Sequence, residues 1–334
     1  MFEARIILDS VCNDHRLTTM QLTHPRVVHA EFNTHCMFAR NASSSRAIPF
    51  KKTVARVLED PFIPEHWGLN QSGMQALEEL QGTKRVSAIQ RWLDARDEAV
   101  RIATEMASTT CQMCNGKGEV PNEFESTGRI QCYTCGGDGI GLNVHKQIVN
   151  RLIEPWSWIT VCVTGDTGAW SNYFSLRCHP DAQPDIQKQA YMAQKAYFES
   201  VPQSLQPGQW HTPYIKPEEA VEIGQWDSIW EEIDGVFIPD VVKISTGRCA
   251  RTSYLTQEGT RDFSEDIKLH DRLRYHTPLH ASPFEHVCQA MGDGERCAKY
   301  IGWKSYRHML PREYVTDFKP NHPDILAESA EAHQ

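Results

Sequence analysis

The stretch Glu31-Phe-Asn-Thr-His-Cys-Met-Phe-Ala-Arg-Asn-Ala-Ser-Ser-Ser-Arg46 gathers His35, Asn41, three serines (Ser43, Ser44, Ser45) and two arginines (Arg40, Arg46) into a dozen residues. It follows a run with apolar residues at Val27, Val28, Ala30 and Phe32, which reads as a strand. Guanidinium forks bind phosphate oxygens in pairs, and hydroxyls and backbone N–H groups complete the shell. The stretch is therefore a candidate phosphate cradle. The same residue types also make a polar loop with a serine or asparagine helix cap, and this segment alone does not separate the two.

Three further segments do. Ser282-Pro-Phe-Glu-His286 is preceded by Cys249-Ala-Arg-Thr-Ser-Tyr254, and Leu176-Arg177 is followed by Ala182-Gln-Pro-Asp-Ile-Gln187. With the first stretch they resemble the flavin-dependent thymidylate synthases. That family carries Arg-His-Arg-x-x-Ser-x-Asn-x-x-Ser-x-Arg, Ser/Thr-Pro-Phe-Glu-His, Ala-Arg-x-Ser-Tyr/Phe and Leu-Arg…Ala-Gln-x-Glu-Ile. One five-residue match is weak; four separated ones span roughly half of this chain. In the family, Ala-Arg-x-Ser and Pro-Phe-Glu-His precede the arginine signature, whereas here they follow it by about 200 residues. The resemblance thus implies a circularly permuted relative, with the family's second half at about 17–200 and its first half at about 245–310. Permutation is tolerated where native termini lie close together at the surface.

What the resemblance implies is an α+β fold with a synthase-like core, to which the cysteine spacing described below adds a small zinc-binding insertion. The implied reaction is methylation of dUMP to dTMP, with methylenetetrahydrofolate as carbon donor, reduced FAD as hydride donor and NADPH reducing the flavin. It further implies a homotetramer with sites between subunits. Carried over position by position, His35, Asn41, Asn172, Ser253 and His286 are expected at the flavin. Ser44, Ser45, Arg46 and Arg151 are expected at the nucleotide. Arg177 is expected both to bind the pyrimidine and, as the catalytic group, to stabilise charge developing on it. No Pro-Cys nucleophile context accompanies these residues, in keeping with a cofactor that carries the hard step.

The departures are as informative as the matches. Thr34 and Cys36 stand where the signature has arginines, Ala39 where it has its first serine, and Ala42 where an acid follows the asparagine. Two lost guanidinium groups remove about ten N–H donors from the flavin side, and Arg40 is the neighbour able to replace one. Nucleotide binding is thus better supported than ordinary thymidylate synthesis. A related enzyme making 5-hydroxymethyl-dUMP stays open, as does a non-catalytic, zinc-stapled nucleotide-binding protein.

Cys111-x2-Cys114 and Cys132-x2-Cys135 are separated by 17 residues, each in a Cys-x-x-Cys-x-Gly-x-Gly setting (Gly116 and Gly118, Gly137 and Gly139). Two thiolates on a tight turn reach one ion, and two such turns make a closed tetrahedral zinc site. A redox Cys-x-x-Cys is the alternative, but it does not explain two matched pairs. The other seven cysteines are scattered, as in a reducing compartment, and a cytoplasmic location is expected. Net charge is −9, which disfavours general nucleic-acid binding. No apolar run approaches the length of a membrane span.

The pattern along the chain predicts strands at 3–9 and 17–32 and helices at 84–106, 144–153 and 182–200, the second stopping at Pro155. Residues 156–163 read as strand or buried helix. The expected organisation is core at 1–107, zinc-knuckle insertion at 108–143, core at 144–200, a linker or arm at 201–244, core at 245–320 and a loose tail at 321–334.

Overall fold

The architecture is taken from a computed structural model that describes all residues except 74, 77, 123–127, 225–230, 234, 235, 258, 260 and 312–334. The expected loose tail lies outside the described residues.

The chain opens with a hairpin, β1 (Glu3–Cys12) and β2 (His15–Pro25), turning at Asn13, whose φ of 52° suits an asparagine. A single turn, α1 (His29–Phe32), leads to β3 (Ala39–Ala42) and α2 (Phe50–Glu59). The strand expected across 17–32 therefore stops at Pro25, and Arg26–Val28 forms a 3-10 turn. The reason lies in the partner strand. Pro25 pairs with Trp158 at the very start of β6 (Trp158–Asp166), so beyond it no ladder remains for Val27 and Val28 to join.

Between these lie α3 (Gly82–Ala107), the small hairpin β4 (Glu119–Pro121) and β5 (Arg129–Gln131), and α4 (Lys146–Leu152). After β6 come α5 (Thr167–Arg177) and α6 (Pro184–Glu199). Each has a side-chain cap, Asp166 accepting from the Ala169 N–H and Gln183 from those of Asp185 and Ile186. Residues 201–244, expected as a linker or arm, supply β7 (Gln203–Ser204), β8 (Trp210–His211), α7 (Pro217–Gly224) and the hairpin β9 (Glu231–Ile233) and β10 (Val236–Ile238). The rest is α8 (Asp240–Arg251), α9 (Phe263–Arg274), β11 (Cys288–Ala290), the hairpin β12 (Arg296–Cys297) and β13 (Tyr300–Ile301), and β14 (Trp303–Ser305).

The main sheet has the order β3-β6-β2-β1-β7, and a second runs β14-β11-β8. Period-two alternation gives the main sheet two unlike faces. Met20 and Leu22 of β2 and Ile159, Val161 and Val163 of β6 join Phe32, Phe38, Trp170, Tyr173 and Phe174 in the largest apolar core, under α5 and α6. Thr19, Gln21 and Thr23 of β2 and Thr160, Cys162 and Thr164 of β6 turn the other way, toward α8 and the segment around Ser282. No described helix is long and apolar enough to cross a membrane.

Candidate functional site

The hydroxyl- and thiol-lined face of the sheet is where distant segments meet. Asn41 sits on edge strand β3 opposite Cys162 of β6, and its side chain is buried. Its Nδ2 donates to the Cys249 carbonyl at the end of α8 (2.6 Å), and its Oδ1 accepts long hydrogen bonds from the hydroxyls of Ser253 and Ser282 (3.4 Å each). The next turn of chain is fixed the same way, the Ser44 N–H donating to the Ser253 carbonyl (3.0 Å). His286 packs against the same strand, β6. Its Nδ1 is 2.8 Å from the Thr164 hydroxyl and 3.6 Å from the Cys162 sulfur, and the whole ring is removed from solvent. His286 Nε2 is buried without a hydrogen-bond partner among the described residues. So Asn41, Ser44, Ser253 and His286 are gathered into one place, although Ser253 and Ser282 lie 212 and 241 residues from Asn41.

Beside His286, Glu285 is bracketed by Lys299 (2.8 Å) and Arg307. Burial opposes ionisation of this carboxyl, but the two cations outweigh it and hold it below the usual carboxylate range. Arg40 senses the same carboxylate and donates to the Asn33 carbonyl (2.6 Å).

A second cluster forms on the α5 side. The Arg177 Nε donates to His35 Nε2 (2.9 Å), and its Nη2 donates to the Thr34 hydroxyl (3.2 Å) and the Glu31 carbonyl (3.3 Å). Burial, then the charges of Arg177 and Arg40, push the His35 imidazole down to about 4. His35 is thus neutral, with the bare Nε2 that its bond from Arg177 requires. Thr34, His35 and Arg177 thus form one hydrogen-bonded cluster. Among the described residues no hydrogen bond joins this cluster to Asn41 or His286. Asn172 points elsewhere: on α5 the buried positions are Ala169, Trp170, Tyr173 and Phe174, and Asn172 is exposed on the opposite side.

The phosphate-cradle residues are held by their backbone. Asn150 of α4 donates to the carbonyls of Ser45 (2.6 Å) and Ile48 (3.1 Å), Lys146 to that of Ala47 (2.9 Å), and the Arg46 N–H to the Ser44 hydroxyl (3.2 Å). The side chains of Arg46 and Arg151 are exposed. The sequence reading missed Arg26 and Arg56, which line a small cleft of about 30 Å³ with Ser45 and Asn150. Arg151 and Arg56 both add positive potential at Arg26. Also missed were Cys162 and Thr164, which alternate with apolar residues on β6, and Ser282, which opens the 3-10 turn Ser282–Glu285.

The cysteine module projects between α3 and α4, closed at its base by a bridge between Thr110 and Ile140. The four sulfurs of Cys111, Cys114, Cys132 and Cys135 lie within 4.8 Å of one another, with Cys111–Cys132 at 3.8 Å and Cys114–Cys135 at 3.7 Å. A tetrahedron with metal–sulfur bonds of about 2.3 Å has edges of about 3.8 Å, so the set fits zinc. Backbone N–H groups of Gly118 and Gly139 donate to Cys114 (3.2 Å) and Cys135 (3.3 Å). Gly118 and Gly139 are obligatory for a second reason. Each has positive φ, and a Cβ on either would lie 2.1 or 2.3 Å from a carbonyl oxygen of the opposite knuckle.

No protein-family model matches the chain, and no curated protein does. Similar solved structures include two of the flavin-dependent thymidylate synthase of Helicobacter pylori, each with FAD and dUMP. They are 12% and 11% identical to this chain, both with a TM-score of 0.32, over 56% of this chain and 68% of theirs. At that identity and superposition, the likeness says nothing about the activity of this chain.

Proposed function

We propose that the chain is a flavin-dependent thymidylate synthase with its two family halves in permuted order, methylating dUMP with methylenetetrahydrofolate as carbon donor. The observation that carries this reading is the Asn41 amide, which ties a signature position to the Ala-Arg-x-Ser-Tyr and Ser-Pro-Phe-Glu-His segments. Chance matches scattered over a chain have no reason to share one buried hydrogen-bond centre.

The residues divide the work. Arg46 and Arg151, exposed beside the serine loop, hold the nucleotide phosphate through charge-assisted bonds. Arg177, aimed by His35 and Thr34, supplies a fixed cation toward the pyrimidine. His286 Nε2, buried and without a partner among the described residues, fits a polar atom of a flat heterocycle. Asn41 and Ser253 use their polar atoms on each other and on Cys249, so here they frame the site and shape the loop. Bound flavin supplies the hydride; the chain supplies orientation, charge and exclusion of water. The four cysteines hold a structural zinc apart from this chemistry.

The test is direct. Purified protein carries a flavin absorbance spectrum, and incubation with dUMP, methylenetetrahydrofolate and NADPH yields a product heavier by one CH2, a methyl in place of a hydrogen. A product heavier by CH2O, a hydroxymethyl in place of that hydrogen, would favour the second reading, which the loss of arginines at Thr34 and Cys36 supports. Protein that binds neither flavin nor dUMP would refute both.

A further inference from the structure

The partner of His286 Nδ1 is the last member of a buried chain of side chains that reaches across the main sheet. Gln203 Nε2 of β7 donates to the Ser10 hydroxyl (3.2 Å), and that hydroxyl is 2.8 Å from His211 Nδ1. His211 Nε2 is 2.8 Å from the Thr19 hydroxyl, which is 2.6 Å from that of Thr164, which is 2.8 Å from His286 Nδ1. Ser10, Thr19, Thr164, His211 and His286 are all fully buried.

Leaving aside Cys162, whose sulfur is a weaker partner 3.6 Å from His286 Nδ1, the protons in this chain have two self-consistent arrangements. Gln203 presents its amide NH2 to Ser10, so the Ser10 oxygen accepts from it. If Ser10 donates to His211 Nδ1, then His211 Nε2 carries the hydrogen and donates to Thr19. Thr19 donates to Thr164, and Thr164 donates to His286 Nδ1. Every hydroxyl then makes one donor and one acceptor contact. Both orders leave His286 Nε2 for a ligand, but in the reverse order Ser10 also accepts twice and its own buried proton has no acceptor in the chain, at a further cost of about 1–3 kcal/mol. The first arrangement wins, and it requires a neutral His211. Burial pushes that imidazole down to about 3, in agreement.

We propose that Gln203, Ser10, His211, Thr19 and Thr164 are positioning residues that fix His286 as its Nε2–H tautomer. His286 thereby meets its ligand as a hydrogen-bond donor, and the matching atom is an acceptor: a carbonyl oxygen or an unprotonated ring nitrogen of a heterocycle. The tautomer of an imidazole is set by the bond its other nitrogen makes, and here that bond is dictated from the far edge of the sheet. Identifying the acceptor with the flavin ring rests on the function proposed above; the tautomer does not.

Long-range proton–nitrogen spectra of the 15N-labelled full-length protein, assigned with His286→Gln and His211→Gln, read the tautomers. The expected result is a bare Nδ1 and a protonated Nε2 on both rings. Ser10→Ala, four side chains away, and Gln203→Leu, at an exposed position whose change the fold tolerates, release the polarity of the chain. Both shift His286 toward a mixture of tautomers. Thr164→Val does the same and Thr164→Ser restores the single form, while a valine that merely fills space would leave the remote pattern unmoved. A protonated Nδ1 on wild-type His286, or a His286 spectrum indifferent to both Ser10→Ala and Gln203→Leu, overturns the proposal. A separate titration with FAD keeps the two questions apart. The stated tautomer without flavin binding would refute the flavin and leave the relay standing.

Discussion

Replacing Asn41 with alanine tests the junction on which the functional reading depends. Three contacts disappear. The strongest is the 2.6 Å bond from Nδ2 to the Cys249 carbonyl. That carbonyl keeps the N–H of Thr252, so it is weakened and not orphaned; the loss is a net hydrogen bond, about 0.5–1.5 kcal/mol. The hydroxyls of Ser253 and Ser282 lose an acceptor at 3.4 Å, and bonds that long contribute at the bottom of the same range, together under about 1 kcal/mol. The space left by the amide in a buried site adds about 1 kcal/mol. The total is about 2–3 kcal/mol. Urea unfolding measures it as a lowered midpoint with unchanged slope. Asn41→Asp sharpens the test. It keeps the acceptor for the two serines but turns a carboxylate oxygen against the Cys249 carbonyl, so at neutral pH it costs more than alanine. The excess shrinks as acid protonates the new carboxyl. Ser253→Ala and Ser282→Ala each cost less than about 1 kcal/mol and are not additive with Asn41→Ala, because they share its oxygen. An alanine variant within 0.5 kcal/mol of wild type, or an aspartate milder than alanine at pH 7, would refute the arrangement (each figure on the scale of ordinary surface substitutions).

Metal analysis of protein purified without chelator should find about one zinc per chain; Cys132→Ser loses it while the core transition persists, and metal-free wild-type protein with four freely titratable thiols would contradict the assignment. Arg46→Ala should leave stability within about 0.5 kcal/mol, as its side chain is exposed, but weaken dUMP binding by about tenfold or more; equal affinity by calorimetry would remove Arg46 from the phosphate. Acid should destabilise the fold ahead of its carboxylates. Burial first, then neighbouring histidine and arginine charges, lower His24 to about 3, and burial lowers His211 to about 3 against the charge of Asp9. The unfolded chain therefore binds protons that the folded one refuses. Stability is full above the ordinary value of 6.5 and falls as pH drops below it, by up to about 1.4 kcal/mol per pH unit for each of these two buried rings. A urea midpoint constant between pH 7 and 4.5 would show that they are protonated in the native state.

Much of the local structure was legible because it is written in short-range patterns. The spacing of Val86, Ile89, Leu93, Val100 and Ala103 predicted a helix over 84–106, and α3 spans Gly82–Ala107. The matched Cys-x-x-Cys-x-Gly-x-Gly knuckles implied sulfurs within reach of one ion, since the spacing alone puts both thiols of each pair on one turn; their glycines close the two knuckles on each other. Residues 156–163 could not be resolved between strand and buried helix, because a continuous apolar run suits either, and only pairing with both β2 and β3 makes the strand.

The candidate site divides along the same line. The sequence by itself determined which side chains are available: an asparagine, serines and arginines in one block, a histidine after Pro-Phe-Glu in another, and no arginine at Thr34 or Cys36. Tertiary structure alone decided how they are used. It turned Asn41 inward to Cys249 and left Asn172 on the outside of α5. It set Arg177 against His35 and Thr34. It aligned threonines from β2 and β6 into a buried path from Ser10 to His286. None of this has a local signature, because hydrogen-bond direction and burial depend on partners a hundred or more residues away. A threonine on a strand carries the same local propensity whether its hydroxyl meets water or sets the proton of a distant imidazole.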